Sequence, residues 1–136
     1  MHGFPGPFNE SNHLFHIQGF VDYPVGSFPK RLLNHIFNRK GYAVTTAKDG
    51  PEAIERVKEG PFDLIFLDIK LPFMNGVEAY RRIKKIRPES VVVMMTAYAV
   101  EDMVQEALRE GAYGIIYKPL DMEKVIALIE RAREAM

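Results

Sequence analysis

A chain of 136 residues suits a single domain, and 47% apolar with 26% charged residues is the balance of an ordinary globular protein. Lys plus Arg equals Asp plus Glu at 18 each, so no bulk field favours nucleic acid or an acidic membrane. The absence of cysteine excludes disulfides, thiolate metal sites and cysteine nucleophiles, and no apolar run approaches the roughly 18 to 20 residues of a membrane span.

Residues 1–29 differ in composition from the rest. They hold no Lys or Arg, only Glu10 and Asp22 as acids, four glycines, four prolines and six aromatics. The opening MHGFPGPFNE lacks the basic-then-apolar order of a signal peptide, so a cytoplasmic location is expected. We expect an atypical arm over 1–12 and one domain over 13–136. Within the arm's continuation, LFHIQGFV (14–21) is the candidate for a first strand, weakened by Gln18 and Gly19.

From Lys30 onward helix and strand alternate. FPKRLLNHIFNRKG places Leu32, Leu33, Ile36 and Phe37 at helical spacing, with Ser27 as a possible N-cap and Gly41 as a stop. YAVTTA is a short β-branched strand. DGPEAIERVKEG predicts a helix that opens at Asp49 and Pro51, buries Ala53, Ile54 and Val57, and stops at Gly60. FDLIFLD and SVVVMMT are continuous apolar runs, as expected of strands covered on both faces. Between them NGVEAYRRIKKIRPE is helical through Val77, Tyr80, Ile83 and Ile86. VEDMVQEALREG turns Met103, Val104, Ala107 and Leu108 inward, GIIYKP is a short strand, and Asp121 caps a last helix. The alternation predicts a doubly wound α/β fold, a parallel sheet with helices on both faces.

In such a sheet ligands bind beyond the carboxyl ends of the strands. The strand ends here carry Asp68, Thr96 and then Lys118 before Pro119, spaced by 28 and 22 residues. A carboxylate there can attack phosphorus and carry an acyl phosphate, while a hydroxyl and an ammonium offset charge on the phosphoryl oxygens. Such a transfer calls for a divalent cation, usually Mg²⁺, held by one or two carboxylates and water. At the end of the first strand Asp22 is the only acid available.

LIFLDIKLPFMNG, VVVMMTAYA and GIIYKPL resemble the receiver domain of two-component response regulators. RLLNHIFNRKGYAVTTAKDGPEAIERV resembles the first helix, second strand and second helix of the same family. The likeness runs from about Arg31 to Met136 and is nearest to the single-domain phosphotransferases of the bacillar sporulation relay. It implies a flavodoxin-like fold of five parallel strands in the order 2-1-3-4-5 with five helices. It also implies that Asp68 takes phosphate from a kinase histidine, with Thr96 and Lys118 contacting the phosphoryl group. The Lys70 carbonyl would complete the Mg²⁺ shell beside Asp68, and the bond before Pro119 would be cis.

Departures from the family pattern bear on the metal. The family carries an acidic pair in a VDD-like sequence before the first helix. Aligned without gaps, that pair falls on Pro24 and Val25; with a two-residue insertion it falls on Asp22 and Tyr23. Either way at least one carboxylate is lost and Mg²⁺ affinity should fall. Ile115 stands where the family usually has an aromatic or His, and Asn75 replaces an Asp in the turn before Gly76.

The resemblance thus leads us to expect a stand-alone receiver in a phosphorelay or two-component system, with a histidine kinase or histidine phosphotransferase upstream. The last predicted helix closes the chain, so a downstream protein is the expected output, with no direct nucleic-acid or membrane contact. Phosphotransfer would be at most self-catalysed, not metabolic enzymology. The alternative is a degenerate pseudo-receiver, a binding module that pairs as a homodimer through its N-terminal segment. An aspartate-nucleophile phosphatase of the haloacid dehalogenase type would need an acid two residues past Asp68, where Lys70 stands. Arg81, Arg82, Lys84, Lys85 and Arg87 are expected to form a solvated helix face, and His13 and His16 lack further ligands for a metal.

Overall fold

The two continuous apolar runs become the middle of a sheet. In this computed structural model the described residues are 15–20 (backbone), 39, 41–71, 73–96, 101–117 (backbone alone for Glu101) and 121–135. Five parallel strands lie among the described residues: β1 (Phe15–Phe20), β2 (Tyr42–Ala47), β3 (Leu64–Asp68), β4 (Val92–Thr96) and β5 (Gly114–Tyr117). Their spatial order is β2-β1-β3-β4-β5, as expected. Four helices lie among the described residues: α1 (Gly50–Glu59), α2 (Gly76–Ile86), α3 (Glu101–Arg109) and α4 (Met122–Glu134). Of the further helix expected between β1 and β2, only Arg39 is described, and it is helical; the rest lies outside the described residues.

Leu64, Ile65 and Leu67 of β3 and Val93 and Met94 of β4 have no exposed surface. Burying side chains of this size contributes roughly 1.5–3 kcal/mol each, so the β3–β4 pair is the natural centre of the core. Val77, Tyr80 and Ile83 of α2 pack against it, as do Ala53, Ile54 and Val57 of α1 and Val125 and Ile129 of α4. Met94 and Met95 belong to this core, and Met103 packs on its margin. Two positions read as inward-facing are not: Leu108 is 40% and Ile86 37% exposed. The buried stripe of α3 comprises Val104 and Ala107, and Leu108 lies one residue, or about 100° of helix rotation, past it.

The starts of α1, α2 and α4 each have a local cause. Asp49 accepts from the Glu52 amide at 2.8 Å, while the Glu52 carboxylate accepts from the Lys48 amide at 2.7 Å, a reciprocal cap ahead of Pro51. Asn75 accepts from the Glu78 amide at 2.9 Å, so its replacement of Asp preserves an N-cap as well as a turn. Asp121 accepts from the Glu123 amide at 3.0 Å. These caps fix where each helix leaves the carboxyl-end rim of the sheet.

Candidate phosphoacceptor site

Asp68 ends β3 and is level with Met95; Thr96 ends β4 and is level with Tyr117. The Ile69 amide donates to the Met95 carbonyl at 2.8 Å, carrying the β3–β4 ladder one step past Asp68. Two side chains that lie 28 residues apart in sequence are thereby held on adjacent strand ends. Thr96 is 1% exposed and Asp68 is partly exposed, so a buried residue on one strand end neighbours, on the next strand, a residue that solvent reaches.

The segment after Asp68 is shaped by short contacts. The Asp68 carboxylate accepts from the Lys70 amide at 3.0 Å, a local turn of the Asx type. The Gly76 amide then donates to the Ile69 carbonyl at 2.7 Å and closes the loop at its base. Gly76 is required there. A Cβ would press into the Asp68 carbonyl oxygen and sit 2.7 Å from the Ile69 Cα. Met74 packs over Gly50 at the start of α1, where an added Cβ would lie 2.7 Å from its Cγ. The β3–α2 loop is thus pinned both to the strand and to the neighbouring helix.

Of the residues expected at the site, Asp68, Lys70 and Thr96 are placed at the carboxyl-end rim. Asp22 and Lys118 lie outside the described residues, as do Pro119 and the N-terminal segment expected to mediate dimerisation. β1 ends at Phe20, two residues before Asp22, and β5 ends at Tyr117, one residue before Lys118. The donors described here suit a hard cation: a carboxylate from Asp68 and a backbone carbonyl from Lys70 are both oxygen ligands. Among the described residues no group of three His, Asp or Glu side chains forms a metal cluster. Asp22 is the further carboxylate that the sequence offers.

Other sequence features resolve into structure. The Arg81 guanidinium binds the carboxylates of Glu106 and Glu110, and Arg82 pairs with Glu78 at 3.2 Å. The Lys84 ammonium donates to the Pro88 and Ser90 carbonyls, and Arg87 to the Val57 carbonyl at 2.7 Å. Four of the five cations on α2 and its exit are therefore engaged within the fold, which disfavours a phosphate-backbone footprint. Ile115 is half-buried and level with Met94. One residue escaped the sequence reading, Phe73, whose exposed ring at the loop tip breaks the small-and-polar pattern usual for turns.

The response regulator receiver domain profile matches residues 29–130. Sporulation initiation phosphotransferase F of Bacillus subtilis is 39% identical over 94 residues, which make up 69% of this chain and 76% of that protein. The transcriptional regulatory protein ZraR of Klebsiella oxytoca is 38% identical over 101 residues, 74% of this chain, but the match spans only 23% of ZraR's length. Among solved structures, a CheY-like receiver domain of Methanospirillum hungatei superposes with a TM-score of 0.77 at 26% identity, covering 90% of this chain and 95% of that one. A CheX–CheY–BeF₃–Mg²⁺ complex of Borrelia burgdorferi gives 0.74 at 30% identity, covering 86% and 87%. With its sheet order, its strand-end Asp68 and Thr96 and these matches, the chain belongs to the response regulator receiver domains of two-component signalling.

Proposed function

We propose that this receiver accepts a phosphoryl group on Asp68 from the phosphohistidine of a histidine kinase or histidine phosphotransferase, and signals through a downstream protein. The observation that supports the reading is that Asp68 and the buried Thr96 end adjacent parallel strands at the carboxyl-end rim. A carboxylate oxygen attacks the phosphorus; the P–O bond forms as the P–N bond breaks. The electron pair of that bond goes to the imidazole nitrogen, which takes up a proton and leaves as the neutral ring. Thr96 donates to the phosphoryl oxygen nearest it, and Lys118 supplies an ammonium as these oxygens gain charge. Asp22, Asp68 and the Lys70 carbonyl would hold Mg²⁺, which would supply positive charge to offset that on the same oxygens. The CheY of the Borrelia complex was captured with BeF₃ and Mg²⁺, which supports this chemistry by relationship. The working unit is residues 13–136, with 1–12 as an appended arm, in the cytoplasm.

Incubation with acetyl phosphate and Mg²⁺ should add one phosphate, and Asp68→Ala should abolish it. No adduct on the wild-type chain would overturn the proposal. The second reading, a pseudo-receiver that binds partners without taking phosphate, rests on the missing member of the acidic pair. It predicts a stable fold with neither adduct nor Mg²⁺ uptake.

A further inference from the structure

Phe73 has φ +73°, the only non-glycine residue in the left-handed region among the described residues, and it is 86% exposed. Both features are unfavourable for a phenylalanine. A left-handed backbone crowds the Cβ, and an exposed ring leaves a large apolar surface in water. Among the described residues Phe73 is neither part of the core cluster nor packed on it. A strained residue persists where the surrounding structure over-determines it, and such residues gather at functional sites.

The surroundings do over-determine it. Leu71 and Met74 pack on the core on either side, Asn75 caps α2, and the Gly76 amide closes the loop on the Ile69 carbonyl. Met74 goes in and Phe73 goes out. The ring is presented on a fixed platform, so ordering it on contact costs little. The base of that platform rests on the backbone of Asp68, which Gly76 touches. Gly76 is three residues on from Phe73, so the two lie within about 11 Å even if the chain is fully extended. A specific interface covers about 800 Å² per partner, a disc of roughly 16 Å radius. A protein that brings an imidazole to Asp68 with a footprint of that size has Phe73 within its reach. Aromatic rings that become fully buried in an interface are where binding energy concentrates.

We propose that Phe73 is the aromatic anchor by which this receiver seats the protein carrying the phosphohistidine, entering an apolar recess on that partner. The inference rests on the phosphoacceptor role of Asp68, and it assigns docking rather than chemistry to the ring. Phe73 touches no reacting group, so a donor too small to reach it should be indifferent to its identity.

The test uses the full chain, as wild type, Phe73→Gly and Phe73→Tyr, with two donors. One is acetyl phosphate. The other is the phosphorylated histidine-kinase core that charges the wild type fastest within a panel of such cores. Phe73→Gly should label from acetyl phosphate within twofold of wild type, yet accept from the kinase core at least tenfold more slowly at subsaturating concentration. Phe73→Tyr should recover at least half of the lost rate. Kinase transfer within twofold of wild type for Phe73→Gly would overturn the anchor, as would equal slowing with both donors. So would labelling by acetyl phosphate with no transfer from any kinase core. Failure of the wild type to label from acetyl phosphate at Asp68 would instead sink the phosphoacceptor reading.

Discussion

The Tyr80 hydroxyl donates a 2.7 Å hydrogen bond to the Glu110 carbonyl, thirty residues along the chain. Tyr80 is 1% exposed on α2, and Glu110 follows α3, where the last carbonyls of a helix lack partners within it. One buried phenol therefore satisfies a helix end and ties two helices together. Tyr80→Phe keeps the packing and removes only the donor. It should cost about 1 kcal/mol, up to ~2 if no water replaces the hydroxyl. Urea denaturation should show a lower midpoint with an unchanged slope, the mark of a stability change alone.

Beside that buried tie lies a charged one. Arg81 binds Glu106 and Glu110 at the surface, and its hydrogen bond holds the Glu110 carboxyl below the usual carboxylate range. Because the pair is exposed, Arg81→Met should destabilise less than Tyr80→Phe, and high salt should close the remaining gap from wild type. The depressed Glu110 value fixes the sign of the pH effect. Its contribution is present above the ordinary Glu value and is lost as the pH falls through the lower folded one. At pH values below that lowered folded value, wild type and Arg81→Met should converge in chemical denaturation midpoint. A difference that persists there would locate the stabilisation in the packing of the Arg81 stem.

The alkaline limb has a separate origin. Burial raises both Tyr42 and Tyr80 above the ordinary phenol value, with Glu130 adding to the first and Glu110 to the second. A raised folded value means that stability is whole below the unfolded value and declines as the pH rises through the folded one. Thermal midpoints should therefore fall from about pH 10 upward. Tyr80→Phe, having no phenol to ionise at that site, should lose stability less steeply over the same range.

How much of this could be read from the residues varies with position. LIFLD and VVMMT announce themselves because a strand buried on both faces must be apolar throughout. The caps at Asp49 and Asp121 were legible for a similar reason, since an extended residue with a short carboxylate ahead of a helix has few other uses. β1 was the weak case, with Gln18 and Gly19 interrupting its pattern. Its place between β2 and β3 comes from ladder hydrogen bonds to both neighbours, which hydrophobic spacing does not encode. Asp68 and Thr96 stood out because strand ends are few and their side-chain chemistry is specific. Phe73 did not, because φ is a property of the loop that Gly76 and Met74 close, not of the phenylalanine itself.

Gly76 offers a direct check on that loop. A methyl group there would collide with the Asp68 and Ile69 backbone, neither of which can rotate aside as a side chain can. Gly76→Ala should cost roughly 1–3 kcal/mol as an overpacking change, even though alanine is the better helix former at an ordinary first-turn position. It should also slow labelling of Asp68 by acetyl phosphate more than stability alone explains. Comparing Gly76→Ala with Gly60→Ala separates the two effects. A Cβ at Gly60 meets nothing within 4 Å, so that variant should label normally.

The acidic site itself is tested by metal titration. If Asp22 supplies the carboxylate that accompanies Asp68, Asp22→Asn and Asp68→Asn should each weaken Mg²⁺ binding, because a hard cation loses a charged oxygen in either case. The more telling variant adds charge. Tyr23→Asp restores the acidic pair and should tighten Mg²⁺ by about tenfold or more, equivalent to ~1.4 kcal/mol. Phosphorylation by acetyl phosphate at limiting Mg²⁺ should rise with it. Calorimetric titration that finds Asp22→Asn equal to wild type would remove Asp22 from the metal shell. In that case, a gain from Val25→Asp and none from Tyr23→Asp would place the pair's second position on the ungapped alignment instead. The fold would be unchanged by that outcome, and the question of where the first strand hands over to its loop would be answered by charge alone.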